Sequence, residues 1–575
     1  MPDDTHRPMT IQPSVVDFTR QRADSDEYAA YCRNILTELV EIDTAITDDL
    51  DRLRTNEAAV FDIIESELRG LLGDNVLIER CPIDPAIADD LFYSKTYYTA
   101  AQRGQPLPAE QTYRDRYNLV ATLPGRHGST PGVIYNAHID TVAPHFGPRA
   151  EGRRVIGRGA CDAKGQVVLW LAQIKLLQEL DERFGLSPPG QQVYHFVIDE
   201  ETGGNGTLSL VRSGRWAGYE VVVAEATSTV PHPANRGAVW YCCQLRSSGQ
   251  PQARPLEMMP FVVTRLEQLG QQIRTESNHP LFGPEHVQTN HGVMGCYGKH
   301  PSAVNDHIAL TISLQTTANP ERIQMRIVEI IDAILAEYCR KYGDKTRQID
   351  PATGQPKLAQ HYRLGFEPAS PPLRYRLDVY GKAGHMGAVQ HCDGAITKAA
   401  YILRALLKVA QSYPTIQAEG QLADEPARPD PLVLEGAQGF VPTHSLQQIC
   451  QRMSHAARAA VEEYCQFKKV PFSDRMVQMS FEKLRNEAYA SPLDCPGFKG
   501  FAAAYRALGL NWPRPSGWQV SCDARIYAHR GHNVVTFGPG SLDQAHSDQE
   551  SIDVAEIQRA LAISTLAALQ ISPPR

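Results

Sequence analysis

The sequence predicts an α/β fold in which a mixed or parallel sheet carries helices on both faces. Largely apolar runs at 133–137, 193–198, 219–224 and 533–537 lack the alternation of a half-exposed strand, so they suit strands covered on both sides. A glycine-punctuated loop at 157–165 precedes apolar residues at helical spacing, which are Val167, Leu171, Ile174 and Leu177. Alternation of strands and helices is typical of a sheet with helical layers.

The residues before the first of these strands predict a tail, two helices and one further strand. Residues up to about Asp24 are expected to form a loose tail. A helix is predicted next from an apolar stripe of Tyr28, Cys32, Ile35, Leu36 and Leu39. A second helix is expected at 56–72 from inward-facing Val60, Ile63, Ile64 and Leu68, and a strand and turn at 116–125.

Polar residues follow the predicted strands at one edge of the sheet. The run at 193–198 meets three consecutive carboxylates, Asp199, Glu200 and Glu201, whose mutual repulsion favours a neighbouring divalent cation. The other strand ends and the glycine loop add His138, Asp140, Asp162, Glu225 and His546. Taken singly, these residues suit a core histidine, a turn former or a helix N-cap. Together they indicate a site at the carboxyl edge of the sheet.

Composition bounds the class of protein. The chain has 575 residues, 42% of them hydrophobic and 21% charged, which is a globular balance long enough for more than one domain. A net charge of -8 is mild and does not favour a nucleic-acid partner. The polar start of the chain and the lack of a long apolar run argue against a secretion signal and a membrane span. Twelve scattered cysteines without a C-x-x-C pair indicate reduced thiols, hence a cytoplasmic location.

The order of these motifs resembles the M20 family of dinuclear zinc hydrolases. The resemblance rests on His-x-Asp at 138–140, Gly-Arg-Gly-x-x-Asp-x-Lys-Gly at 157–165, Asp-Glu-Glu at 199–201, Glu225 and a late Ala-His at 545–546. It implies a zinc-exopeptidase-like catalytic domain, with a mixed sheet and helices on both faces, and an inserted α+β lid or dimerisation domain. The catalytic domain is then expected at 1–235 and 488–575, and the lid domain at 236–487.

The resemblance also implies a role for each motif residue. One Zn²⁺ is expected on His138 and Glu225, a second on Glu201 and His546, and Asp162 is expected to bridge them, with Co²⁺ able to substitute. Asp140 would accept the other ring N–H of His138. Glu200 would act as the general base toward a water shared by the two ions. His195 lies inside an apolar run and is interpreted as a core residue.

The lid region departs from the family pattern. The lid histidine segment is supplied by 381–385, more than a hundred residues after the strand that enters the lid. The intervening insertion, at about 247–372, is predicted to be folded, with a strand at 308–314 and a helix at 321–338. The resemblance implies that His385 stabilises an oxyanion and that the lid pairs two chains in a homodimer, with His385 serving the partner's site.

A Ser-Asp-x-Arg segment of the family is matched by Ser521-Cys522-Asp523-Ala524-Arg525. Arg525 is expected to hold a substrate carboxylate in a bidentate contact, with a structural ion pair as the alternative. Cys522 stands beside it without a motif for a base and is interpreted as a small packing residue.

Two functions follow from the motifs. The first is a zinc-dependent hydrolase that releases an amine from an N-acyl amino acid or short peptide, as a deacylase or carboxypeptidase. Glu225 favours this branch, because dipeptidase relatives more often carry Asp there, and a metal-dependent dipeptidase is the alternative. The second function is a non-catalytic metal-binding scaffold, which the presence of Glu200 and all five ligands disfavours.

Overall fold

A computed structural model describes residues 11–73, 76–100, 106–295, 297–298, 303–314, 319–349, 353–358, 360–367, 373–409, 414–419 and 430–571. The chain forms two compact units. The first comprises Met1–Arg236 and Lys483–Arg575, and the second comprises Gly237–Glu482. None of the described helices combines the length and the apolar character needed to cross a membrane.

The first unit is built on a six-stranded mixed sheet. Its strand order is Leu77–Pro82, Tyr117–Leu123, Gln192–Val197, Val133–His138, Glu220–Val223 and Val534–Thr536. The last four strands run parallel to one another, and the first two are antiparallel to their neighbours. All residues of the three innermost parallel strands are buried, as their unbroken apolar runs predict. The predicted mixed α/β sheet is confirmed.

Helices cover this sheet. Lys164–Phe184 packs on the strand Val133–His138, and Pro496–Ala507 packs on Glu220–Val223. The remaining helices of the unit are Pro13–Ala23, Asp26–Glu41, Leu50–Leu72, Ala109–Thr112, Asn205–Val211, Ala524–Ala528 and Val554–Ala568. The predicted helices after Asp24 and at 56–72 are therefore confirmed, and the second begins six residues earlier than predicted.

The prediction of a loose tail up to about Asp24 is wrong for residues 13–23, and residues 1–10 lie outside the part of the chain that the structure describes. Pro13–Ala23 is a helix that begins with a proline in its first turn, where the missing N–H removes no helical hydrogen bond. Its buried residues, Val15, Val16, Thr19 and Ala23, pack with the C-terminal helix Val554–Ala568. Gln558 of that helix donates to the carbonyl of Ala23 at 2.7 Å, which closes the end of the N-terminal helix.

The second unit is α+β. One sheet runs Tyr297–Gly298, Thr289–Met294, Leu432–Phe440, Gly237–Leu245 and Val477–Ser480. A four-stranded antiparallel sheet runs Tyr362–Glu367, Leu373–Tyr380, His307–Leu314 and Pro414–Glu419. Its main helices are Pro255–Glu276, Pro320–Tyr342, Ala395–Val409 and Leu446–Lys468. The expected strand and helix of the predicted insertion are confirmed as His307–Leu314 and Pro320–Tyr342.

Candidate metal centre

Three neighbouring parallel strands of the first unit lead into acid or histidine side chains at one edge of the sheet. His138 ends the central strand, Val133–His138. Glu200 and Glu201 follow the strand on one side of it, and Glu225 follows the strand on the other. Because the three strands are parallel, their carboxyl ends lie at the same edge. The structure therefore brings these four side chains together.

Asp162 lies between two histidines. It sits just before the helix Lys164–Phe184, in the glycine-rich loop. Its Oδ1 lies 3.1 Å from Nε2 of His138, and its Oδ2 lies 3.3 Å from Nε2 of His546. The two oxygens of one carboxylate thus face two different rings, as expected of a group shared by two cations.

Three glutamates, Glu200, Glu201 and Glu225, lie beside the two histidines. Nε2 of His546 lies 3.1 Å from the Glu201 carboxylate. Two sets of three side chains bring their potential ligand atoms within 4.8 Å of one another: His138, Asp162 and Glu201 form one set, and His138, Glu200 and Glu225 form the other. His138 belongs to both sets, so Glu200 lies close to Glu225 and to the ring of His138.

The buried carboxylates carry more negative charge than the two rings can balance. Burial raises the pKa of Glu200 well above its usual range, and the nearby Glu225 carboxylate raises it further. Burial and the Asp162 carboxylate likewise raise the pKa of Glu225. Burial raises the pKa of Glu201 as well. Such a group of acids favours either bound protons or bound cations.

The pKa values of the two histidines are raised as well, in their case by the carboxylates around them. Burial alone would lower the pKa of His138, but hydrogen bonds to Asp140 and Asp162 outweigh it and hold that pKa well above its ordinary value. For His546, burial is outweighed by Glu201 and Asp162, so its pKa is also raised. Imidazole nitrogens and carboxylate oxygens are the ligands that Zn²⁺ and Co²⁺ accept, so the donor set fits such ions.

Asp140 has a wider set of contacts than the sequence predicts. Nδ1 of His138 lies 2.9 Å from the backbone carbonyl of Asp140 and 3.5 Å from its carboxylate. The carboxylate accepts the backbone N–H groups of Glu200 at 3.1 Å and Glu201 at 3.0 Å. Asp140 thus orients the ring of His138 mainly through its backbone carbonyl. Its side chain fixes the backbone of the acidic turn at Glu200 and Glu201.

Glu550 is a site-supporting residue that the sequence analysis missed. Its Oε1 accepts the backbone N–H groups of Gly159, Cys161 and Asp162 at 2.9–3.0 Å. Its other oxygen forms a buried ion pair with Arg158 at 2.8 Å. This carboxylate links the loop of Asp162 to the segment that carries His546. The available signal was an acid four residues after His546 together with an arginine inside the glycine motif.

Arg525 and Cys522 are both buried beside the acidic turn. Arg525 is 1% exposed, and its Nη2 donates to the carbonyl of Gly203 at 2.7 Å. Its Nε and Nη1 have no hydrogen-bond partner within the described residues. Burial raises the pKa of the Cys522 thiol well above its usual range, which does not suit a nucleophile.

His195 is enclosed in the core, as interpreted from its apolar run. Its Nδ1 lies 2.8 Å from the hydroxyl of Tyr527, and its ring centroid lies 4.5 Å from that of Trp216. Burial lowers the pKa of His195 to about 3, so the ring is neutral at ordinary pH.

His385 belongs to the second unit. Its backbone forms the short strand Gly384–His385, which pairs with Ala303–Val304. Its side chain lies outside the part of the chain that the structure describes.

A third group of potential ligand atoms lies in the second unit. Those of Cys339, Asp344 and His361 fall within 4.8 Å of one another. However, Nδ1 of His361 faces the Lys398 ammonium at 3.2 Å. A metal-bound histidine donates its second N–H to an acceptor, so we interpret this group as a hydrogen-bonded network.

Comparisons with known proteins agree with the fold and the motif order. Residues 134–570 match Peptidase family M20/M25/M40. A probable carboxypeptidase of Aspergillus terreus is 38% identical over 110 residues, which are 18% of this chain and 24% of that protein. The N-formyl-4-amino-5-aminomethyl-2-methylpyrimidine deformylase of Bacillus subtilis is 25% identical over 253 residues, or 40% of this chain and 56% of that protein.

Similarity to solved structures extends over nearly the whole chain. The crystal structure of human carnosine dipeptidase 1 superposes with a TM-score of 0.55 and 13% identity, covering 98% of this chain and 99% of that one. At this identity the likeness concerns the fold alone. The family match spans most of the chain and includes every motif at the sheet edge. The chain therefore belongs to peptidase family M20/M25/M40.

Proposed function

We propose that this protein is a metal-dependent hydrolase of amide bonds that acts on N-acyl amino acids or short peptides, as a deacylase or carboxypeptidase. The observation that carries the proposal is the Asp162 carboxylate, whose two oxygens face His138 at 3.1 Å and His546 at 3.3 Å. A carboxylate shared in this way suits two cations a few ångströms apart.

Two Zn²⁺ ions are the proposed cofactors, with Co²⁺ as a substitute. His138 and Glu225 would hold one ion, Glu201 and His546 the other, and Asp162 both. When bound, such ions polarise the scissile carbonyl and make a water acidic enough to ionise near neutral pH. The excess of buried carboxylates over imidazoles supports this assignment, because a pair of divalent cations would offset it.

Glu200 is the proposed general base. Its backbone N–H is held by Asp140 at 3.1 Å, which fixes the turn that carries it. In the metal-free chain burial and Glu225 raise the pKa of Glu200, which favours the protonated form that a base reaches after taking a proton from water. The same carboxyl group then passes that proton to the leaving amine.

Arg525 is the proposed contact for a substrate carboxylate. Its Nε and Nη1 are donors without a partner in the described part of the chain, and a buried donor in that state is unfavourable. A substrate carboxylate would accept from Nη1 and Nη2, which form one fork of the guanidinium, in a bidentate contact. The alternative is a structural role through Gly203, whose carbonyl Arg525 already contacts.

The test is amine release by the Zn²⁺-loaded protein from three matched substrates: an N-acetyl amino acid, its carboxamide and a dipeptide of the same residue. A deacylase prefers the free N-acetyl acid, whereas a dipeptidase prefers the dipeptide. Loss of selectivity between acid and amide in Arg525→Lys would support the carboxylate contact. If the metal-loaded protein turned over none of these amides, the result would contradict the proposed hydrolase and favour a non-catalytic metal-binding scaffold.

We also propose a homodimer in which His385 serves the partner's site. His385→Ala and Glu200→Gln are each expected to be nearly inactive. Refolded together they should regain up to about a quarter of the wild-type activity, because half of randomly mixed dimers are heterodimers with one intact site. Verified mixed dimers without recovered activity would contradict sharing across the dimer.

We propose a cytoplasmic location on separate grounds. Every cysteine in the described part of the chain carries a free thiol, which is usual in a reducing compartment.

A further inference from the structure

Asp199 does not join the site that its two neighbours form. It is the first of three consecutive carboxylates, yet its side chain is fully buried away from His138 and His546, among tyrosine and arginine side chains. Its φ is 64°, in the left-handed region that a non-glycine residue adopts at an energetic cost. The carbonyl of Asp199 accepts the N–H of Gly204 at 2.7 Å, and this hydrogen bond closes the turn at 199–204.

Three donors hold the Asp199 carboxylate. Nη2 of Arg116 lies 2.8 Å from Oδ1, the hydroxyl of Tyr113 lies 2.6 Å from Oδ2, and the hydroxyl of Tyr98 lies 3.0 Å from Oδ2. Charge-assisted hydrogen bonds of this kind are about twice as strong as neutral ones. They offset the strained backbone angle and fix the direction in which the chain leaves Asp199.

Arg116 is in turn held on its other side. Its Nε and Nη2 donate to the two oxygens of Glu57 at 2.9 and 2.6 Å, and its Nη1 donates to the hydroxyl of Tyr98 at 2.9 Å. The side chain of Arg116 is 0% exposed and that of Glu57 is 3% exposed. The guanidinium therefore has little freedom to follow a displaced Asp199.

The next two residues are fixed from the opposite side. Asp140 accepts the N–H groups of Glu200 and Glu201, while Asp199 is anchored by Arg116 and Tyr113. The peptide between Asp199 and Glu200 is thus held on one side by the contacts of the Asp199 carboxylate and on the other by the Asp140 carboxylate. Rotation of Asp199 toward a negative φ would swing Glu200 away from the position of the reacting atoms.

We propose that Asp199 is a positioning residue for Glu200, and that Arg116, Tyr113 and Tyr98 hold it in that role. This inference rests on the proposed function of Glu200 as general base. Asp199 itself does not contact the reacting atoms. Its carboxylate orients the neighbouring base, and Arg116, Tyr113 and Tyr98 hold that carboxylate in place.

Asp199→Asn tests the proposal with little change in shape. Its amide NH₂ replaces one carboxylate oxygen and the negative charge is lost, so the charge-assisted contacts with Arg116 and the two tyrosines are weakened. We expect kcat to fall about 10- to 100-fold, the range for loss of an orienting outer-shell partner. We expect KM to stay within about twofold and metal content to be unchanged, because Glu201 and the other ligands keep their own contacts.

The decisive measurement is the double variant Asp199→Asn/Glu200→Gln. If Asp199 acts through Glu200, adding its substitution to Glu200→Gln lowers the residual turnover no further. A further loss of 10- to 100-fold in the double variant, or a loss of metal in Asp199→Asn, would overturn the proposal. Absence of any wild-type turnover would contradict the proposed function itself, which separates the two failures.

Tyr113→Phe supplies a milder variant should Asp199→Asn not fold. Tyr135→Phe is its matched control, because Tyr135 is buried in the same unit and its hydroxyl has no hydrogen-bond partner among the described residues. We expect a severalfold lower kcat in Tyr113→Phe and an unchanged kcat in Tyr135→Phe. Metal content and melting temperature are measured for both variants. Equal kcat in the two variants would overturn the proposal.

Discussion

Glu200→Gln is expected to lower turnover by about 10²- to 10⁴-fold, the usual contribution of a positioned general base. Glutamine keeps the size of the side chain and can still form hydrogen bonds, but it cannot take a proton. Because the proposed ligands are other residues, metal content should remain close to that of the wild type. Steady-state kinetics on the preferred amide substrate, with metal analysis of the same sample, measures both quantities.

Glu201→Gln is the matched control for this prediction. It makes the same chemical change one residue later, on a side chain that lies 3.1 Å from His546. We expect it to lose metal first and activity as a consequence, with partial recovery at high Zn²⁺ concentration. If Glu200→Gln lost metal while Glu201→Gln kept it, the two roles within the acidic run would have to be exchanged.

Metal removal is expected to abolish activity, and rebinding should release protons. In the metal-free chain the pKa values of His138 and His546 are raised by neighbouring carboxylates, so both rings carry protons near pH 7. A metal must displace them, and therefore its apparent affinity should rise with pH. Below the raised pKa values we expect about tenfold tighter binding per pH unit for each proton displaced.

Competition with a chelator at pH 6, 7 and 8 measures this slope, and calorimetry in buffers of different ionisation enthalpy counts the protons. His546→Gln should release one proton fewer. His195→Gln is the control, because burial lowers the pKa of that ring to about 3 and it has no proton to give. An affinity independent of pH, or Zn²⁺ and Co²⁺ failing to restore activity, would contradict the dinuclear assignment.

The sheet and the candidate ligands could be predicted because their signals are local. An apolar run such as 193–198 ends where polar residues begin, and parallel strands place such ends at one edge. The direction of Asp199 could not be predicted, since the sequence shows three equivalent acids, and Arg116, Tyr113 and Tyr98, which contact the first of them, lie far away in the sequence. The contacts of the Asp140 carboxylate with the backbone N–H groups of Glu200 and Glu201 could not be predicted either, because residue types do not show which backbone donors lie nearby.

Two helices show other limits of sequence patterns. Pro255–Glu276 went unpredicted because residues 255–264 are all buried, so no one-sided stripe marks them, and Pro260 within the helix suggests a break. Pro13–Ala23 is short and owes its place to tertiary packing with Val554–Ala568, which lies far along the chain.

The division of the first unit into two pieces constrains the order of events during synthesis. His138, Asp162, Glu201 and Glu225 leave the ribosome within the first 236 residues, whereas His546 and the sheet strand Val534–Thr536 follow only after Gly237–Glu482. Until then, the apolar strand Glu220–Val223 is an open edge, which invites pairing with other chains. The proposed metal site is therefore complete only after the second unit has been made, and until then the open edge is available for pairing with other chains.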